Sequence, residues 1–162
     1  GVESGDRRVL ELSRKQITLE QIEQAFLWTR NAGIKIHATF MFGLPGETGE
    51  SIEKSLRFAK KLNPDTLQAS IAQPYPGTAF YEMARRDGTL KVDNWEDFDG
   101  ELRGAVEYPH LSKKEIRHAV TRMYKEFYIR PSYLLHRTLS IRTCADIKRF
   151  GDLAVGFVRR FA

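Results

Sequence analysis

The sequence predicts an α/β protein, parallel strands alternating with helices and a helical extension after them, and three observations carry that prediction. Residues 34–42, IKIHATFMF, alternate apolar and polar side chains, the period of a strand whose two faces meet different surroundings. Helical patterns flank this run, which is the grammar of right-handed βαβ units and not of hairpins. Three turns, GVESGD (1–6), FGLPGET (42–48) and QPYPGT (73–78), stand where strands would hand over to helices, and each carries glycine.

Taken in chain order, residues 1–17 read as the turn after an earlier strand whose body would lie upstream. Thr18-Leu-Glu-Gln21 is a capping box that starts a helix, with Leu19, Ile22, Ala25, Phe26 and Thr29 at helical spacing and Asn31-Ala-Gly33 as its stop. The strand at 34–42 comes next. Ser51 to Leu62 repeats the helical period through Ile52, Leu56, Ala59 and Leu62, and Asn63-Pro64 ends it. Thr66 to Ala72 is a short apolar, partly β-branched run, and Thr78 to Arg86 a short helix. From Lys91 the chain turns acidic and aromatic, until Ser112-Lys-Lys-Glu115 opens a long helix through Ile116, Ala119, Val120, Met123, Phe127 and Tyr128. Tyr133–Ser140 and Cys144–Phe161 read as further helical stretches. The organisation is thus a first unit at 1–90 and an acidic linker with a basic helical extension at 91–162. A parallel sheet of two complete strands cannot cover itself, so more of the sheet is expected in an N-terminal part outside this chain.

Composition narrows the function. With 41% apolar and 29% charged residues, the 162-residue chain is of the soluble globular kind. No apolar run nears the roughly 20 residues that cross a bilayer, and the first residues lack the build of a secretory signal, so a cytoplasmic location is expected. The lone Cys144 rules out an internal disulfide and a cysteine-rich metal site within the chain. Net charge is +5, divided as +1 over residues 1–90, −4 over 91–111 and +8 over 112–162. The basic tail offers attraction to anionic lipid headgroups, although basic helices also serve simply to solvate a surface. The tyrosines of the tail share the phase of its apolar stripe, which favours core packing over nucleic-acid stacking, so no nucleic-acid partner is expected.

In parallel α/β folds ligands bind beyond the carboxyl ends of strands, which directs attention to the three turns. Glu3, Ser4, Thr48 and Gln73 bring hydrogen-bonding groups there. A phosphate-cradling P-loop is excluded, since no Gly-Lys-Ser/Thr follows Gly43. Read alone, Glu3 is also a terminal solvated acid, Lys15 a surface cation, His37 a hydrogen-bonded internal histidine and Tyr75 a stiffener between two prolines.

In the order GVESGD, Arg14-Lys15, FMFGLPGET and QPYPGT, the chain resembles the second half of a radical S-adenosylmethionine (SAM) barrel, and most nearly that family's cobalamin-associated branch. The likeness covers about residues 1–90 and, more loosely, the WEDFDG and YPHLS stretches. It implies a partial (β/α)6 barrel followed by an α-helical extension. It also implies a [4Fe-4S] cluster on a three-cysteine loop that this chain does not contain, so the metal ligands lie elsewhere. For this sequence the resemblance places Glu3 and Ser4 at the polar atoms of SAM, Lys15 at its carboxylate and Thr39 at the ribose. Met41, Phe42 and Gly43 would border the adenine, held in place by Leu44-Pro45-Gly46; no catalytic residue is assigned.

The implied chemistry is reductive cleavage of SAM to a 5′-deoxyadenosyl radical that removes hydrogen from an unactivated carbon of a small-molecule or lipid substrate. Such chemistry implies an electron donor such as flavodoxin or ferredoxin, and the branch resemblance adds cobalamin. The runs AQPYPGTAFYEMARRDGTL and FDGELRGAVEYPHLS look most like radical SAM enzymes of hopanoid lipid biosynthesis, which adds peripheral contact with a membrane. The alternatives are a non-radical (β/α) barrel that shares only turn composition, and a basic helical module for nucleic acid or membrane.

Overall fold

The computed structural model describes residues 1–91 and 104–139. Its elements in order are α1 (Arg7–Leu12), α2 (Leu19–Asn31), β1 (His37–Phe42), α3 (Gly49–Leu62), β2 (Thr66–Ile71), α4 (Ala79–Arg86), α5 (Lys113–Tyr128) and α6 (Pro131–Leu139). The WEDFDG stretch, Cys144 and the helix expected at 144–161 lie outside the described residues.

The capping boxes form as the spacing predicts. Thr18 accepts from the Gln21 amide while the Gln21 side chain accepts from Thr18 N–H, and Ser112 and Glu115 repeat the arrangement on α5. Several boundaries differ from expectation, α3 starting at Gly49 and not Ser51 and α6 at Pro131 and not Tyr133, and two further departures have a clear local cause. β1 begins at His37, not at Ile34, because α2 closes with a Schellman pair, Gly33 N–H to Arg30 C=O and Ile34 N–H to Thr29 C=O. That closure spends the backbone of Ile34 on the helix end and leaves its side chain exposed. Within 1–17, expected as a turn alone, Asp6 caps the short helix α1 by accepting from Val9 N–H at 3.2 Å.

β1 and β2 pair in parallel, with Ala38 opposite Leu67, Phe40 opposite Ala69 and Phe42 opposite Ile71. On the other edge of β1, Glu3 forms a parallel bridge with Phe40. Those six apolar residues face one way and are buried in a core with Ile52, Leu56 and Ala59 of α3 and Ile116, Val120 and Met123 of α5. The opposite face presents His37, Thr39 and Met41 beside Thr66, Gln68 and Ser70, all half-buried or exposed. The sheet thus has an apolar side clothed by helices and a polar side that looks elsewhere.

Helix α5 also blocks the outer edge of β2. The Tyr128 hydroxyl accepts from Leu67 N–H at 2.7 Å and donates to Leu67 C=O at 2.8 Å. Tyr124 does the same for Ala69, at 3.0 and 3.2 Å. The fit is metric: four residues of helix rise about 6 Å, close to the roughly 6.7 Å between alternate residues of a strand. Two tyrosines at i and i+4 therefore meet two successive rungs of an unpaired strand edge, their rings stacked 6.3 Å apart. Tyr128→Phe removes both bonds at Leu67 and leaves a backbone donor and acceptor unmet, so it is expected to cost about 1–3 kcal/mol in urea unfolding. A loss below about 0.5 kcal/mol would show that the edge needs no cap.

Among the described residues no helix is long and apolar enough to cross a membrane, and no group of three His, Cys, Asp or Glu side chains is placed to hold a metal ion.

Candidate functional site

The carboxyl end of β1 lies between the 1–6 loop and the end of β2, and the candidate site forms around it. The 1–6 loop is pinned to α3. Gly5 N–H donates to Ser55 Oγ at 2.8 Å, Ser4 Oγ meets the same hydroxyl at 3.2 Å, and Asp6 accepts from Lys54 Nζ at 2.8 Å. Burial alone would raise the Asp6 carboxyl; the Lys54 ammonium and the Val9 and Arg8 amides outweigh it and hold the group below its ordinary range. With the loop fixed, Val2 and Glu3 both donate to Thr39 C=O, at 2.9 and 3.0 Å, and Met41 N–H donates to Glu3 C=O at 2.8 Å. Glu3 adopts a left-handed backbone, φ 67°. Its carboxylate pairs with Lys15 Nζ at 3.0 Å, each side chain partly exposed.

The second wall is the turn from Gly43 to Thr48. Gly43 sits at φ 83°, and the place a Cβ would take is bounded at 3.4 Å by methyls of Ile116 and Val106. The left-handed backbone is what calls for glycine, since a Cβ at that distance would make only ordinary contact. Gly43 N–H donates to Glu47 Oε2, and Glu47 N–H to Leu44 C=O at 3.1 Å. Glu47 is fully buried. Burial pushes its carboxyl up to about 8, against the Gly43 and Leu44 amides that favour the ionised form and with a small push from the Asp6 charge. Its Oε1 meets no hydrogen-bonding partner among the described residues. From outside, the Tyr108 hydroxyl donates to Gly43 C=O at 3.0 Å and His110 Nε2–H to Glu47 C=O at 2.9 Å. Burial, and then the Glu47 charge, hold the Tyr108 hydroxyl above its ordinary pKa.

Among the seven residues singled out from sequence, the structure brings Glu3 and Lys15 into one ion pair and sets Thr39 and Met41 half-buried on the polar face of β1. Gly43 forms the hinge of the adjoining turn. Ser4 and Phe42 turn inward: the Ser4 hydroxyl is spent on Ser55 and on the Asp6 amide, and the Phe42 ring lies in the apolar core. What Phe42 offers at the strand end is backbone, and its carbonyl already accepts from Ala72 N–H at 2.7 Å. His37 sits at the start of β1, a strand length of roughly 17 Å from the turn, and its Nδ1 bonds Thr66 Oγ1 at 2.7 Å, so it is not part of this site. Tyr75 is exposed at the mouth of the 73–78 turn. The Gln73 carboxamide, at the start of that turn, is shut off from solvent and unpartnered among the described residues. Sequence reading passed over Glu47, Tyr108 and His110, because an acid in a Gly/Pro turn and a Tyr-Pro-His in an irregular stretch carry no periodic signal.

Chemically, the cluster offers a carboxylate and an ammonium for a zwitterion, a half-buried hydroxyl, and apolar and backbone groups at a strand end. Two small cavities of about 200 Å³ flank it, one lined by Arg7, Lys15 and Ile17 and the other by Pro45, Phe80 and Tyr108. They are smaller than the pockets that enclose a whole cofactor, so the described residues form an open, one-sided cradle.

Comparison with known proteins gives this cradle a family context. The chain is 34% identical over 135 residues to an uncharacterised methyltransferase of Pyrococcus horikoshii, a match that covers 83% of this chain and 29% of that protein. It is 27% identical over 135 residues to the anaerobic magnesium-protoporphyrin IX monomethyl ester cyclase of Rubrivivax gelatinosus, covering 83% and 24%. To the bacteriochlorophyllide d C-8(2)-methyltransferase of Chlorobaculum tepidum it is 30% identical over 110 residues, covering 68% and 24%. The chain therefore spans under a third of the length of these relatives, and a 135-residue match must run through β1, β2 and α5 wherever it begins. Residues 1–59, which hold Glu3, Lys15, β1 and the 43–48 turn, match the Radical SAM superfamily.

Proposed function

We propose that this chain supplies the SAM-facing side of a radical SAM enzyme's active site. The observation that carries the reading is the Glu3–Lys15 pair, with Glu3 on a loop whose backbone bonds Thr39 and Met41 along a parallel strand, inside the segment that matches the family. The donor set suits an amino-acid zwitterion: Lys15 would exchange Glu3 for the carboxylate of SAM, Glu3 would take its ammonium, and Thr39 Oγ1 would reach the ribose. The cluster is a different matter. The described residues contain no cysteine and no metal-ligating group of three, so they do not fit an iron–sulfur cluster, and its ligands belong to residues outside them. When bound and reduced by one electron from a source outside the described residues, SAM would break its S–C5′ bond to give methionine and supply the carbon radical that takes hydrogen from the substrate. The share of this chain is to orient SAM and to keep water from the strand ends.

Within that reading the substrate is a polycyclic lipid of the hopanoid kind, with cobalamin as a further cofactor, a flavodoxin or ferredoxin as electron source, and the basic tail against anionic headgroups of a membrane. The likeness of residues 72–90 and 98–112 to hopanoid enzymes supports this. The tetrapyrrole names of two relatives offer an alternative ring system.

The test is SAM binding to the complete, anaerobically reconstituted protein by equilibrium dialysis. Lys15→Ala is expected to weaken binding by about 10- to 100-fold, the loss of a charge-assisted hydrogen bond, while stability shifts little because the pair is partly exposed. An unchanged dissociation constant would remove Lys15 from the site, and a reconstituted protein without iron or sulfide would favour a non-radical barrel.

A further inference from the structure

We propose that Tyr108 and His110 are positioning residues for SAM, acting through the Gly43–Glu47 turn; the inference rests on the reading above. The two side chains seize the carbonyls at either end of the turn. Tyr108 Oη–H holds Gly43 C=O at 3.0 Å and His110 Nε2–H holds Glu47 C=O at 2.9 Å. Their rings stack 5.8 Å apart at 21°, so the pair acts as one clamp.

The clamp itself is anchored. Glu107 N–H donates to Thr89 C=O and Lys91 N–H to Ala105 C=O, both at 2.9 Å, which ties the strap to the chain after α4. Tyr108 and Leu111 exchange backbone bonds at 3.0 and 3.1 Å, and Ser112 follows at once as the cap of α5. Behind Gly43, methyls of Val106 and Ile116 pack at about van der Waals distance, 3.4 Å from where a Cβ would lie.

The turn is therefore fixed from inside by the Glu47 carboxyl and from outside by residues more than 60 positions downstream. A turn hinged on a left-handed glycine has other accessible conformations, and the two side-chain bonds hold the one in which Gly43 continues from the end of β1. Holding it there before SAM arrives spares the ordering cost at binding. His110 is exposed and Tyr108 half-buried, so their contribution lies in the two hydrogen bonds more than in buried area.

The experiment measures SAM dissociation constants, KM for SAM and kcat on the complete reconstituted protein for Tyr108→Phe, His110→Leu and His110→Gln, with urea unfolding alongside. Tyr108→Phe and His110→Leu are each expected to raise the dissociation constant and KM about three- to tenfold, with kcat at saturating SAM within twofold of wild type. His110→Gln keeps an N–H donor and is expected to restore most of the affinity. Should wild type bind SAM and the variants bind equally well, whether or not they unfold earlier, the positioning role is overturned while the SAM reading stands. Should wild type not bind SAM, both fall. If Tyr108→Phe does not fold, the Leu and Gln variants at the exposed His110 decide the matter: equal affinity in those two refutes the inference.

Discussion

Gly5→Ala is expected to destabilise the protein by about 2–4 kcal/mol and to weaken SAM binding with it. A Cβ on Gly5 would lie 2.7 Å from Phe58 Cβ and 2.8 Å from both Lys54 O and Ser55 Cα. Two of those three atoms are helix backbone and cannot step aside, so the loop must lift from α3. Lifting breaks the bond from Gly5 N–H to Ser55 Oγ and the Ser4–Ser55 contact, which strips the fully buried Ser55 hydroxyl of both bonds and leaves Ser4 with the Asp6 amide alone. Glu3 rides on the same loop, two residues away. Gly49→Ala, where nothing lies within 4 Å of the added methyl, is the matched control and should be close to neutral. Urea midpoints decide it: a Gly5→Ala protein within about 0.5 kcal/mol of the control would mean the loop does not lean on α3 as closely as described.

Glu47→Gln is expected to remove a pH dependence that the wild type carries between about pH 4.5 and 8. The carboxyl is raised from 4.5 to about 8 in the folded protein because it is buried. In that interval the unfolded chain has released its proton and the folded protein keeps it. The stabilisation is thus complete below 4.5 and is lost as pH rises through 8, a total of roughly 3–5 kcal/mol by linkage. The carboxamide of the variant does not titrate and keeps an acceptor for Gly43 N–H. Unfolding free energies at pH 5 and pH 8.5 should therefore diverge in wild type more than in the variant by a few kcal/mol. Parallel pH profiles would show that Glu47 is ionised and satisfied in the fold.

Local rules carried much of the architecture. The alternation in IKIHATFMF survives as the two faces of β1, and both box-type caps foreseen from spacing, at Thr18 and Ser112, are made. The failures are those of scale. Helix α1 has only Val9 and Leu10 buried over six residues, too little to register a period. On α2 just Ile22 is buried from a stripe that spacing made broader. Tyr124 and Tyr128 read correctly as members of a packed face, but the service of their hydroxyls to a strand more than 50 residues earlier is tertiary information. The site divides in the same way. Turn chemistry pointed to the strand ends, and Glu3 and Lys15 do meet there; the inward turn of Ser4 and the burial of Glu47 depend on how α3 and the 104–111 strap close over the loops.

The tyrosine pair on α5 also makes the sheet grow in one direction only. With the outward rungs of Leu67 and Ala69 already taken, a strand from a second molecule finds no open ladder on β2, and the edge-to-edge association that threatens exposed sheets is barred on that flank. Any additional strand has to join past Val2 and Glu3, so the border where the sheet widens is the same one where the ligand cradle is completed.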